Sequence, residues 1–278
     1  MHYNYIYGAQ AIFSGSALGD VDGHGYTLVY PGVCHAKTSP HCLFGTTVNF
    51  AQPSNSSDPL STHFTKRNDL NPVAQINGTV GPGGKGPPGG GGDSSAPFKT
   101  ASGEWRMITR DSVNNTIWGS TDFFRKGSWY EIGPQPGFTQ GACPSFFPAP
   151  RANASASDDP DDPTHVYMYS KTTLPYKCCS HRSVMVAGRY VDRGPRAVAD
   201  WTPVRPFQVI DNGSYYAAKD FWDPVQERRV VWGWAQIPNG AQALPRTVTW
   251  HTQLRQFIFS PLPELIALRA GVCMCGAC

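Results

Sequence analysis

The stretch Asp211–Trp250, DNGSYYAAKDFWDPVQERRVVWGWAQIPNGAQALPRTVTW, decides the fold. It holds two aromatic-rich strands in series, Tyr215–Phe221 and Arg229–Trp234, and the Asp223-Pro224 pair between them forces a turn. Aromatic and β-branched residues suit a pleated, half-buried surface. A further strand begins at Leu244-Pro245-Arg246-Thr247. Trp232 and Trp234 alternate along their strand, and the expectation is that they fill the space between neighbouring sheets.

The rest of the chain agrees with an all-β reading. Of its 278 residues only 15% are charged, while Gly, Pro and aromatics are abundant, the mix of many short strands joined by tight turns. The net charge is +3 and no Lys/Arg run is long enough to track phosphates, which argues against nucleic-acid binding. No window approaches the roughly 18 apolar residues of a membrane span. The first ten residues, MHYNYIYGAQ, show neither a basic nor an apolar leader region, so no signal peptide is visible. Five N-x-S/T sequons, at Asn55, Asn77, Asn114, Asn153 and Asn212, nevertheless lean toward a secretory route, which would place the true start upstream. Eight cysteines leave the compartment open: Cys34 and Cys42 are near enough to bridge a loop, and Cys178 and Cys179 could each pair elsewhere.

Further strands are expected at Phe13–Ala17 and Tyr26–Tyr30 around a D-x-D-G-H-G turn, and at Cys42–Phe50. They continue at Glu104–Thr109, Thr116–Phe124, Ala142–Phe147, His165–Ser170 and Ser183–Tyr190. Gly81–Gly92 is expected to be a flexible surface loop, because its Gly84-Lys85 pair is followed by Gly86 and makes no phosphate loop. The acidic insert Pro150–Pro163 reads as solvated. Eight histidines without H-E-x-x-H spacing do not support a zinc hydrolase, and no G-x-S-x-G elbow supports a serine hydrolase. The tail Cys273-Met274-Cys275-Gly276-Ala277-Cys278 offers three thiols and no fourth ligand, so no metal is assigned.

The order D-x-G-x-Y-Y-A-x-K-x-F, R-R-V-x-W-G-W, L-P-R-T closely resembles the last blade of the glycoside hydrolase family 32 propeller, the family of invertases and fructan-processing enzymes. Phe13-Ser14-Gly15-Ser16-Ala17, Gly103-Glu104-Trp105-Arg106 and Cys143-Pro144-Ser145-Phe146-Phe147 resemble other family segments. The resemblance implies an all-β, five-bladed propeller, incomplete here, with about four blades present over 1–269 and a Cys-rich tail over 270–278. The first blade and the C-terminal β-sandwich are expected to be missing. A propeller short of a blade leaves unpaired sheet edges that invite pairing with another chain. The resemblance also implies a secreted, cell-wall or vacuolar protein acting on sucrose or fructan without a cofactor.

Retaining glycosidases place two carboxyl groups about 5–5.5 Å apart, one as nucleophile and one as acid/base. The family's nucleophile motif, W-x-N-D-P-N-G, does not occur in these residues; Asn68-Asp69-Leu70 is a superficial echo on an outer strand. Counting back from Gly103-Glu104-Trp105 puts the family's R-D-P on Gly92-Asp93-Ser94. This keeps the transition-state-stabilising carboxylate as Asp93 and loses the arginine, a bidentate partner that fixes geometry. The alternative is that Asp93 is a loop residue after a glycine run. The acid/base Glu of E-C-P falls on Ala142, whose methyl cannot protonate a leaving group, so a general-acid factor of ~10²–10⁴ is lost. Glu131 is read as a solvated hairpin-end residue. Phe13 and Ser14 match residues that flank the fructosyl unit. Asp211 matches a pocket-rim Asp whose usual lysine partner is replaced by Ser214. The expectation is thus a β-fructofuranosidase homologue with impaired hydrolysis. The alternatives are a carbohydrate-binding pseudoenzyme or a gene-model fragment.

Overall fold

A computed structural model describes residues 11–33, 46–58, 60–76, 92–110, 115–150, 159, 161–171, 181–236 and 239–268. The glycine run before Gly92, the cysteines 34, 42, 178 and 179, most of the acidic insert, the sequons at Asn77, Asn114 and Asn153, and the Cys-rich tail lie outside these residues.

The described residues form four antiparallel sheets arranged as propeller blades. The first contains β1 (Ala11–Ile12), β2 (Ser16–Leu18), β3 (Thr27–Val33), β4 (Thr46–Pro53), β5 (Phe64–Lys66) and β6 (Ala74–Ile76). The second contains β7 (Phe98–Lys99), β8 (Trp105–Arg110), β9 (Asn115–Ser120) and β10 (Tyr130–Pro134). The third is built from β11 (Ala142–Pro148), β12 (His165–Lys171), β13 (Arg182–Val191), β14 (Asp200–Pro203) and β15 (Gln208–Val209). The fourth is built from β16 (Tyr215–Asp223), β17 (Arg228–Ala235), β18 (Ala241–Gln242), β19 (Arg246–His251) and β20 (Gln256–Pro261), followed by a 3-10 turn at Pro263–Ile266. No helix among the described residues is long and apolar enough to cross a membrane.

Strands β4, β9, β11 and β12 are buried along most of their length, on both faces, where the sheets pack face to face. Three apolar clusters fill three seams. Phe50, Val48, Met107, Phe123 and Trp129 join the first sheet to the second. Ile108, Phe138, Phe146, Tyr167 and Trp201 join the second to the third. Phe147, Met168, Tyr215, Val231 and Trp250 join the third to the fourth. Among the described residues no such cluster closes the fourth sheet onto the first. That seam is a groove of about 390 Å³ lined by Ala17, Leu28, Tyr30, Lys219, Phe221 and Trp232.

Two expectations are corrected here. Trp232 and Trp234 do not fill the space between described sheets; they are 42% and 45% exposed, and Trp232 lines the groove that separates the fourth sheet from the first. The surface left without a partner consists of sheet faces, because propeller blades stack face to face. It is not a pair of strand edges.

Candidate axial site

The innermost strand of each sheet begins at one point, and three of the four carry an irregularity there. In β11 an extra residue interrupts the register between Ala142 and Ser145, and Cys143 adopts φ 52°. In β16 the same occurs between Tyr216 and Lys219, with Ala217 at φ 52°. In the second sheet Gly92 and Asp93 together face Arg110: the Gly92 N–H donates to Arg110 O (2.8 Å) and the Arg110 N–H donates to Asp93 O (3.0 Å). Such bulges bend a strand and re-aim the next side chain. Gly92 is at φ +109°, and a Cβ there would lie 2.4 Å from Thr46 Cγ2, so only glycine fits. Positive φ at Cys143 and Ala217 is strained for L-residues, by roughly 1–2 kcal/mol each.

These devices bring Asp93, Cys143 and Ser14 together. Asp93 is 6% exposed, and its carboxylate accepts a hydrogen bond from the Cys143 N–H at 2.9 Å. The Cys143 thiol lies 3.7 Å from the same oxygen and donates to Ser14 Oγ at 3.3 Å. Burial, reinforced by the Asp93 charge, pushes that thiol up to about 12, so Cys143 is a neutral donor and not a thiolate nucleophile. Ala142, 5% exposed, precedes it on the same strand.

A second set of bonds ties all four sheets through two carbonyls, Ser94 O and Pro144 O. Lys219 Nζ donates to Ser94 O (2.8 Å) and to Pro144 O (2.7 Å), while Ser16 Oγ donates to Ser94 O (3.1 Å). Burial lowers the Lys219 pKa, and the Asp220 and Asp93 charges oppose that shift. Tyr216 stands near the same point: burial raises its pKa, the Asp93 charge adds to the rise, and Arg110 opposes it. Its ring meets His181 edge-on at 5.1 Å.

The other sequence-derived residues lie further out. Asp211 precedes β16 and is ion-paired with Arg246 (2.6 Å), and it accepts the Gly213 N–H (2.7 Å). Partial burial works to raise its pKa, but the Gly213 N–H, Arg246 and Arg182 outweigh it and hold the carboxylate below its usual value. Ser214, in the family's lysine position, bonds Gln236 instead, at 3.0 Å. Phe13 adjoins Ser14 in sequence and is 44% exposed. Glu131 is solvent-exposed on β10, and Asp69 is paired with Arg67 on the surface. Asp220 is committed to Arg229 at 2.8 Å. Among the described residues no second carboxylate bonds to the Asp93–Cys143–Ser14 group, and no group of three potential metal ligands occurs. Sequence reading missed Lys219 and Tyr216 as parts of the site. Their only sequence signal is the Y-Y-A-x-K order itself.

The model of the glycosyl hydrolases family 32 N-terminal domain matches residues 4–258. An insoluble β-fructofuranosidase isoenzyme of Arabidopsis thaliana is 27% identical over 286 residues, covering 92% of this chain and 44% of its own length. A fructan 6-exohydrolase of Beta vulgaris is 27% identical over 201 residues, covering 64% of this chain and 32% of its own. Fructan 1-exohydrolase IIa of Cichorium intybus superimposes with TM-score 0.67 at 20% identity, over 95% of this chain and 49% of that one. A single-residue variant of that enzyme has been solved in complex with 1-kestose. The chain therefore spans about half the length of the relatives it matches, or less.

Proposed function

We propose, for a chain that belongs to glycosyl hydrolase family 32 through its N-terminal domain, that the axial site binds a terminal β-fructofuranosyl unit of sucrose or a fructan and hydrolyses it poorly. The observation that carries this reading is the buried Asp93 carboxylate, held by the Cys143 N–H and flanked by Ser14, with a methyl at Ala142 on the same strand. A fixed, desolvated carboxylate accepts hydrogen bonds from sugar hydroxyls strongly, because it has few competing water partners. Hydrolysis also needs a proton donor to the leaving oxygen, and none of the described residues bonded to Asp93 supplies one: alanine has no proton to give, and the nearby thiol is held too far up to act as an acid at neutral pH. Asp93 is assigned the role of binding the ring hydroxyls, Ser14 and Phe13 that of flanking the sugar, and Asp211 that of the rim.

A secreted, cell-wall or vacuolar location belongs to the same reading. It is supported by the insoluble isoenzymes among the relatives and by exposed sequons at Asn55 and Asn212. Self-association through the open seam is its structural corollary. Calorimetry with sucrose and 1-kestose tests the proposal, alongside a glucose-release assay. Binding that disappears in Asp93→Asn, without turnover, is expected. Appreciable wild-type sucrose turnover, undiminished relative to Ala142→Glu, would falsify the claim of impaired hydrolysis.

A further inference from the structure

The family pattern has an arginine immediately before the Asp93 position, and this chain has glycine there. The structure shows why no side chain can return: at Gly92 a Cβ would lie 2.4 Å from Thr46 Cγ2 and 3.1 Å from Pro31 Cβ, on a backbone at φ +109°. Directly across the strand pair stands Arg110, bonded through its backbone to both Gly92 and Asp93. Residues facing one another across an antiparallel pair project to the same side of the sheet, and a bulge keeps its two residues opposite that one partner. Arg110 is therefore the residue best placed to carry a cation to the side from which Asp93 faces the axis.

Two observations support this placement. The Arg110 charge is felt at the Tyr216 hydroxyl, which also feels Asp93, and at the Tyr167 hydroxyl on the neighbouring sheet. Arg110 Nε is buried and donates to no described residue. A buried guanidinium N–H without an acceptor is costly, and a bound acceptor removes that cost. Arg106, fully buried, bonds through Nε, Nη1 and Nη2 to described partners. Arg229 Nε is likewise unbonded, but its Nη1 is committed to Asp220, so it is the position opposite Gly92 and Asp93 that sets Arg110 apart.

We infer that Arg110 supplies the axial site with the guanidinium that Gly92 cannot carry, and that it donates to hydroxyl oxygens of the sugar bound against Asp93. The fork of a guanidinium presents parallel N–H groups that match two neighbouring oxygens, which the point charge of a lysine does not. This assignment rests on the fructoside-binding reading for its ligand, but the position of the guanidinium stands apart from it.

The experiment combines calorimetry with an arginine side-chain resonance. Sucrose and 1-kestose are titrated into the wild type, Arg110→Met and Arg110→Lys, and the Nε–H signal of Arg110 is followed in ¹⁵N-labelled protein with and without Asp93→Asn. The expected result is at least a tenfold loss of affinity in Arg110→Met, a smaller loss in Arg110→Lys, unchanged melting temperatures and a shifted Nε–H signal in Asp93→Asn. Equal affinity of Arg110→Met and the wild type overturns the assignment. Should the wild type bind neither sugar, the fructoside reading falls. The Nε–H signal then decides alone: a shift in Asp93→Asn upholds the shared pocket, and an unmoved signal overturns it. If Arg110→Met does not fold, the affinity of Arg110→Lys and the resonance decide between the same two outcomes.

Discussion

The seam between the second and third sheets and the seam between the fourth and first are built from similar residues, with opposite outcomes. In the former, Phe138 stacks on Tyr167 at 4.1 Å, Phe146 stacks on His165 at 5.0 Å, and Trp201 meets both phenylalanines edge-on. At its outer part Arg106 joins Glu104 (2.9 Å) and Asp192 (3.2 Å), with Tyr130, Tyr190 and the Arg196 N–H completing the shell. In the latter, Phe221 and Trp232 line a groove and are 37% and 42% exposed, and Trp234 on the same strand as Trp232 is 45% exposed. An aromatic residue on a propeller strand is stabilising only if the next sheet covers it. The same side chain is core in one seam and bare surface in the other.

The comparison can be broken most forcefully at Arg106. Replacing it with Met leaves two carboxylates without their buried counter-ion, and a loss of about 3–5 kcal/mol is expected in urea unfolding. A loss below about 1 kcal/mol would mean the filled seam does not depend on this network. Acid tests the same seam. Burial within the aromatic stack lowers His165 to about 4, so folding favours the neutral ring. Its contribution is fully present above the unfolded value near 6.5 and declines as pH falls from there toward 4, by on the order of 2–3 kcal/mol. His165→Phe, which keeps a ring in the stack, is expected to flatten the stability–pH curve across that window. An unchanged slope would contradict the cause given.

Smaller effects sharpen the contrast. Lys219→Met removes the donor to Pro144 O and one of two donors to Ser94 O, and about 1–3 kcal/mol of destabilisation is expected together with weaker sugar binding. Stability lost without any change in binding would reduce Lys219 to a structural tie. Trp232→Ser, at the open seam, is expected to change unfolding free energy by no more than about 0.5 kcal/mol. If the bare face is used for self-association, sedimentation shows less dimer in this variant. A large destabilisation would instead show that Trp232 is already covered.

Much of the fold is legible in the sequence because β-branched and aromatic runs bounded by turn residues mark the long strands. β8, β9, β11, β12, β13, β16 and β17 lie where those runs stand. The two-residue strands β1, β7, β15 and β18 are too short to leave a periodic signal. Asp93 is found by counting along the chain, but its burial is hidden, since a glycine run before it reads as loop. The Lys219 hub is invisible locally because its acceptors are backbone carbonyls on two other sheets. Exposure of Trp232 is equally invisible, because alternation specifies a face and not what covers it. Arg110 gives no motif; it emerges only when the bulge sets it opposite Gly92 and Asp93.

The most direct measurement is a crystal structure of the protein soaked in fructose or 1-kestose. The account expects a furanose ring at the propeller axis with a hydroxyl within about 3 Å of the Asp93 carboxylate, Ser14 alongside and the methyl of Ala142 facing the glycosidic side. A saturated crystal with an empty axis would contradict it, as would a sugar held by some other carboxylate that has moved in beside Ala142.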